Sequence, residues 1–169
     1  MNSTVTQVLD HQQILDRLDR IAWQLYEEFH QQESLYLAGI AERGYILAGL
    51  LSRRLQSISP LEVTLGKLEF SKDQPIHSSF SLNPSEGQEW KGRHVIVVDD
   101  VLKSGSTLIY GVRHFLQFPL GSLKTVVLVD RNHKRFPVKA DFKGLSLSTS
   151  LQEHVTVHLE GEPYSVTVS

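Results

Sequence analysis

The sequence predicts an α/β fold: an open, parallel, twisted sheet flanked by helices, with an antiparallel hairpin at the C-terminal end. Three observations predict it. Helical and strand patterns alternate along the chain, as βα units require. Val95 to Val98 is an unbroken apolar run, which suits a central parallel strand covered on both faces. Val155 to Leu159 and Tyr164 to Val168 alternate apolar with polar residues on either side of the turn sequence EGEP, the pattern of a hairpin with one face buried.

Each element has its own local reason. Asp10 is a helix cap, and after it Ile14, Leu18, Ile21, Ala22, Leu25 and Phe29 recur at spacings of three and four, so one face packs inward. Ser34 to Ile40 reads as a short strand. A second helix runs from Arg43 to Leu55 with Leu47, Leu50, Leu51 and Leu55 on one side, and Pro60 ends the connection. Leu61 to Phe70 looks extended. Ser71 to Gly92 is rich in Ser, Pro, Asn and Gly without sustained periodicity, so it reads as a long loop; such loops inside compact domains are commonly functional. Leu108, Ile109, Val112, Phe115 and Leu116 make a third helix, and Leu123 to Val129 repeats the buried-strand pattern.

At 169 residues the chain is expected to form a single domain over residues 1–169. The composition is 40% hydrophobic and 21% charged with a net charge of -2, and no run of like charges advertises wholesale nucleic-acid binding. The absence of cysteine excludes disulfides and cysteine-ligated zinc. The N-terminal stretch MNSTVTQVLDHQQ lacks a positive flank and an apolar core, and no apolar run approaches spanning length, so a soluble, cytoplasmic protein without a membrane partner is expected.

The stretch HVIVVDDVLKSGSTLIYGV carries the chemistry. In an open α/β sheet, ligands sit beyond the carboxyl ends of the strands, where a turn into a helix offers free N–H groups and a positive dipole end. Lys103, Ser104, Gly105, Ser106 and Thr107 add a cation, hydroxyl donors and one residue with no side chain, which together suit a phosphate. Asp99 and Asp100 would repel that phosphate; they suit hydroxyl groups, or a metal, one sugar-length away. The order reads as a sugar phosphate, with the diol at two aspartates expected to be exposed at the strand end. A single Asp near a helix start would be explained by the helix dipole alone. Neither GxxxxGK[ST] nor GxGxxG is present.

VIVVDDVLKSGST resembles the motif for 5-phosphoribosyl 1-pyrophosphate (PRPP) in type I phosphoribosyltransferases. VLVDRNHKRFPVKADFKGLSLSTS resembles the segment that follows in the pyrimidine operon attenuators that also act as uracil phosphoribosyltransferases, and RIAWQL, LAGIAERGYILAGLLSRRL and LGKLEF fall in that family's order. The resemblance implies the type I phosphoribosyltransferase fold and a Mg2+-dependent transfer of phosphoribosyl from PRPP to a nucleobase, with uracil giving UMP and pyrophosphate leaving. It implies that Asp99 and Asp100 hold the ribose hydroxyls and that Val101 to Thr107 wrap the 5'-phosphate. Ala41, Glu42, Arg43 and Gly44 match the loop that receives pyrophosphate. Lys72 and Asp73 stand where a mobile lid over residues 71–92 begins. Asp130, Arg131, His133 and Lys134 fall in the segment that lines the base pocket. Catalysis would rest on Asp99, Asp100, Arg43 and Lys72. No direct protein ligand to Mg2+ is assigned; Asp99 and Asp100 would reach it through water. A homodimer or larger homo-oligomer is implied.

The chain departs from the family pattern in places. Ala41 stands where Lys is expected, and Lys103, Ser104 and Ser106 where an aromatic or aliphatic residue, Thr and Arg are common. In the first helix Asp19 and Trp23 replace Thr and His, and Asp16 and Asp19 offset Arg17 and Arg20, so RNA is not expected as a partner. Two alternatives to the enzyme stay open: an RNA-binding attenuator, and a nucleotide sensor with weak or no turnover.

Overall fold

The structure, a computed structural model, describes residues 4–84 and 89–169. Its larger sheet has six strands: β2 (Ser34–Ile40), β3 (Glu62–Glu69), β4 (Ser81–Asn83), β5 (His94–Leu102), β6 (Ser122–Asp130) and β7 (Phe142–Ser146), in the spatial order β4-β3-β2-β5-β6-β7. All neighbours are parallel except β4, which runs antiparallel to β3 at the edge. A smaller antiparallel sheet joins β1 (Thr6–Leu9), β9 (Ser165–Val168) and β8 (Val155–His158) in the order β1-β9-β8. The expected α/β sheet and C-terminal hairpin are present. Among the described residues, no helix is long and apolar enough to cross a membrane.

Alternating side chains give the large sheet two apolar faces. Leu35, Leu37, Ile96 and Val98 join the core beneath α1 (His11–Phe29) and α2 (Ala41–Ile58). Tyr36, Ala38, Val95 and Val97 point the other way, into a core closed by Leu108 and Phe115 of α3 (Ser106–Phe115). The chain leaves β2 through α2 towards β3, but leaves β5 through α3 towards β6 on the opposite side. The neighbours β2 and β5 therefore flank a topological switch point, the place where an open α/β sheet leaves a crevice at its carboxyl edge.

α1 begins as the sequence predicts. The Gln13 N–H donates to Asp10 Oδ1 at 2.8 Å and the Asp10 N–H donates to Gln13 Oε1 at 2.9 Å, a reciprocal capping box. The other two α-helices differ. α2 starts after Ile40 and α3 after Gly105, and neither has a side-chain cap. Their first-turn N–H groups are left for another partner.

Several boundaries differ from the sequence reading. β5 extends through Asp99 and Asp100 to Leu102, so Val101 and Leu102 are strand residues rather than turn residues, and α3 starts at Ser106 rather than Leu108. Within residues 71–92, read as a loop without order, Pro75–His77 makes one 3-10 turn and Ser81–Asn83 forms β4. A three-residue strand is too short to show a period. Residues 85–88 of that segment lie outside the described residues. Its flanks are packed: Phe80 stacks between Phe70 and His114, the Tyr36 hydroxyl donates to the Pro84 carbonyl at 2.8 Å, and Trp90 meets the Tyr36 ring edge-on at 5.1 Å.

Candidate active site

A cleft of about 410 Å³ opens at the switch point. Asp99 and Asp100 at the end of β5 form its floor, the turn Lys103 to Gly105 and Thr107 one wall, and Ala41, Glu42 and Arg43 at the start of α2 the other. Lys72 and Val155 of β8 complete the rim. Two uncapped helix ends thus converge on one space, each offering N–H donors and positive dipole to an anion.

Close backbone approaches shape both walls. Gly105 adopts φ +88°, a left-handed conformation costly for other residues, and an added Cβ would lie 2.7 Å from Val138 Cγ1. The carbonyl of Ser104 accepts from the N–H groups of Arg135 and Phe136 at 2.7 and 3.1 Å, so the segment after β6 buttresses the turn. Gly44 does not line the cleft. A Cβ there would come within 2.6 Å of the Val98 carbonyl, so Gly44 lets the first turn of α2 lie against β5. Ala41 has φ +52°, and strain of this kind in a non-glycine residue is commonly retained at ligand sites.

The two aspartates are buried, at 3% and 7% exposure, which corrects the expectation of exposed carboxylates; β5 carries them inside the sheet before the chain turns. The Asp100 N–H donates to Asp99 Oδ1 at 2.9 Å. Burial, reinforced by repulsion from Asp100, pushes the Asp99 carboxyl well above the ordinary carboxylate range, and the nearby Lys72 ammonium pulls it partly back. Arg43 places Nη1 4.0 Å from Asp100 Oδ2 and Nε 3.6 Å from Glu160 Oε1.

Of the residues singled out in the sequence, Asp99, Asp100, Val101, Lys103, Ser104, Gly105, Thr107, Arg43 and Lys72 line this cleft. Ser106 does not; it opens α3, and its N–H donates to Ser104 Oγ at 3.2 Å. Asp130, Arg131, His133 and Lys134 stand beside the cleft rather than on its lining, at the end of β6 where Leu102 pairs with Asp130. Their side chains hold the protein together. The buried Asp130 carboxylate takes Lys134 at 3.4 Å and Lys143 at 3.8 Å. Arg131 donates to Thr149 Oγ1, the Ser150 carbonyl and the Glu153 carbonyl at 2.9, 3.1 and 2.7 Å, and His133 donates to the Thr149 carbonyl. Val155 on the cleft and Glu160 beside Arg43 escaped sequence reasoning, since only the docking of the chain around β8 brings them there.

Among the described residues no group of three or more His, Cys, Asp and Glu side chains could enclose a metal ion. Two adjacent carboxylates without a third fit a Mg2+ ion that keeps most of its coordination on ligand oxygens and water.

The model of the phosphoribosyl transferase domain matches residues 4–160. The "Bifunctional protein PyrR" of Streptomyces coelicolor is 34% identical over 167 residues, covering 95% of this chain and 86% of that protein. The protein of the same name from Ligilactobacillus salivarius is 31% identical over 164 residues and covers 91% of each chain. The same fold occurs in a hypoxanthine-guanine phosphoribosyltransferase from Bacillus anthracis, with a TM-score of 0.79 at 19% identity over 98% of this chain and 99% of that one. It occurs also in the hypoxanthine phosphoribosyltransferase of Trypanosoma cruzi, with a TM-score of 0.76 at 20% identity over 96% and 95% of the two chains.

Proposed function

This chain belongs to the phosphoribosyl transferase domain family, among relatives named bifunctional protein PyrR, and from that premise we propose that it is a Mg2+-dependent enzyme transferring phosphoribosyl from PRPP to uracil, giving UMP and pyrophosphate. One observation carries the proposal: the paired aspartates lie in a single cleft between two uncapped helix ends. That spacing provides for a sugar diol with an anion on either side of it. The choice of uracil rests on the resemblance of Val127 to Ser150 to the attenuator branch.

The roles follow from charge. Breaking the bond from the anomeric carbon to pyrophosphate leaves positive charge on the sugar and negative charge on the departing oxygen, so positioning and electrostatics supply the catalysis. Asp99 and Asp100 orient the ribose hydroxyls. Lys103, Ser104, Thr107 and the first turn of α3 hold the 5'-phosphate. Arg43, Lys72 and the first turn of α2 receive pyrophosphate. Asp99 and Asp100 are the residues that would hold Mg2+ in this cleft, and the ion would supply charge neutralisation for the departing pyrophosphate. With Asp130 and Arg131 committed to internal contacts, the base meets the backbone of the segment from Asp130 to His133, with Lys134 at its side. The segment that begins at Lys72, on the rim of the cleft, acts as the lid that excludes water. A homo-oligomer and a cytoplasmic setting complete the proposal.

RNA is not part of it. On α1 and α2, Arg20 donates to the Lys143 and Gly144 carbonyls at 3.0 and 2.9 Å, Arg54 binds Asp19 at 2.8 Å and Arg17 donates to the Gln13 carbonyl at 3.3 Å, while Arg53 is exposed. The deciding experiment is a product assay with PRPP, Mg2+ and a panel of bases.

A further inference from the structure

Glu160 lies just beyond β8 on the small sheet, and both of its carboxylate oxygens are engaged. Oε2 accepts the Leu159 N–H at 3.2 Å, and Oε1 stands 3.6 Å from Arg43 Nε. Leu159 is buried at 4% exposure, and Val155 and Val157 on the same strand belong to the core. Arg131 ties down the chain leading into that strand through the Ser150 and Glu153 carbonyls. The fold thus anchors the backbone at Glu160 beside Arg43, while the carboxylate itself stays exposed. The Arg43 guanidinium stands between it and Asp100, 4.0 Å away, with nearly half of its side chain exposed.

From this we infer that Glu160 is an internal competitor for the anion subsite at the start of α2: its carboxylate holds Arg43 as an incoming pyrophosphate group would, and binding of that group must displace it. The inference rests on the proposed pyrophosphate role of Arg43. A competing carboxylate weakens the grip on both substrate and departing pyrophosphate, and so favours release of the product. The pair is exposed, and exposed ion pairs are weak, so the effect is graded rather than a switch.

The test is calorimetric titration of inorganic pyrophosphate with excess Mg2+ into the full chain, wild type and Glu160→Gln, at about 50 mM and about 500 mM salt, with thermal unfolding to check that both are folded. Glu160→Gln is expected to bind pyrophosphate about two- to fivefold tighter at the lower salt, with the gap closing at the higher salt as charges are screened. Equal or weaker binding by Glu160→Gln at low salt would overturn the inference, because a carboxylate that merely positions Arg43 gives that result. Wild-type protein that binds no pyrophosphate would instead remove the proposed role of Arg43, and the inference with it.

Discussion

The backbone N–H of Asp100 donates to Oδ1 of Asp99 at 2.9 Å, fixing the Asp99 carboxyl against the backbone of its buried neighbour in β5. Burial, with repulsion from Asp100 added to it, raises the affinity of the Asp99 carboxyl for a proton.

A pH dependence of stability follows. The folded-state pKa of Asp99 lies above its ordinary value of 3.8, so between those two points the folded chain keeps a proton that the unfolded chain has lost. Its contribution to stability is therefore fully present below the ordinary pKa and is lost as pH rises through the folded one. Asp99→Asn has no such proton to lose. Urea midpoints across a pH series should show wild type losing ground to the variant as pH rises; a difference independent of pH would contradict the buried, proton-retaining Asp99.

Gly105 and Thr107 separate folding from binding. Gly105→Ala places a methyl group against Val138 at an unfavourable φ, and should cost about 2–4 kcal/mol of stability as well as PRPP affinity. Thr107→Val keeps the shape and removes one hydroxyl from the anion wall. It should weaken PRPP binding by about 1.5–3 kcal/mol, the worth of a hydrogen bond to a charged group, with little change in Tm. Unchanged affinity in calorimetry would remove Thr107 from the phosphate site.

Arg131→Met tests the internal role of a residue that sequence reasoning assigned to the base. Loss of its three hydrogen bonds should destabilise the chain by about 2–4 kcal/mol in urea unfolding, because the acceptors around residues 149–153 lose their partner. An unaltered urea midpoint with a raised KM for the base would return Arg131 to the base pocket.

Much of this was legible in local sequence. The apolar run Val95 to Val98 marked the central strand, and the Asp pair followed by a small polar turn marked the end of it where the cleft opens. What escaped was set by distant partners. Thr6–Leu9 is a strand because β9, at the far end of the chain, pairs with it, and Ser81–Asn83 is a strand because β3 offers an edge. The burial of Asp99 depends on how far β5 runs beside β6, and the tie from Arg131 to residues 149–153 and the approach of Glu160 to Arg43 depend on where the chain around β8 docks, which no periodicity encodes.

Binding to an RNA stem-loop should be weak. Specific RNA binding releases counterions and falls steeply with salt, and this needs free cations on one face. Here Asp19 neutralises Arg54, Arg20 is tied to the edge of β7, and Trp23 is exposed between them in sequence. Gel shifts over a salt series should show no preference for a pyrimidine-leader stem-loop over a scrambled RNA; tight, salt-sensitive discrimination would contradict this.

The most direct test of the central claim is the product assay. Wild-type protein with PRPP and Mg2+ should convert uracil to UMP with one pyrophosphate released per nucleotide, and should prefer uracil to hypoxanthine and guanine. Asp100→Asn should lower kcat/KM at least about a hundredfold, the scale on which a lost electrostatic contact to the reacting sugar is felt. Tight PRPP binding without nucleotide formed from any base would contradict the account and make the protein a sensor, and a purine product would overturn the choice of uracil.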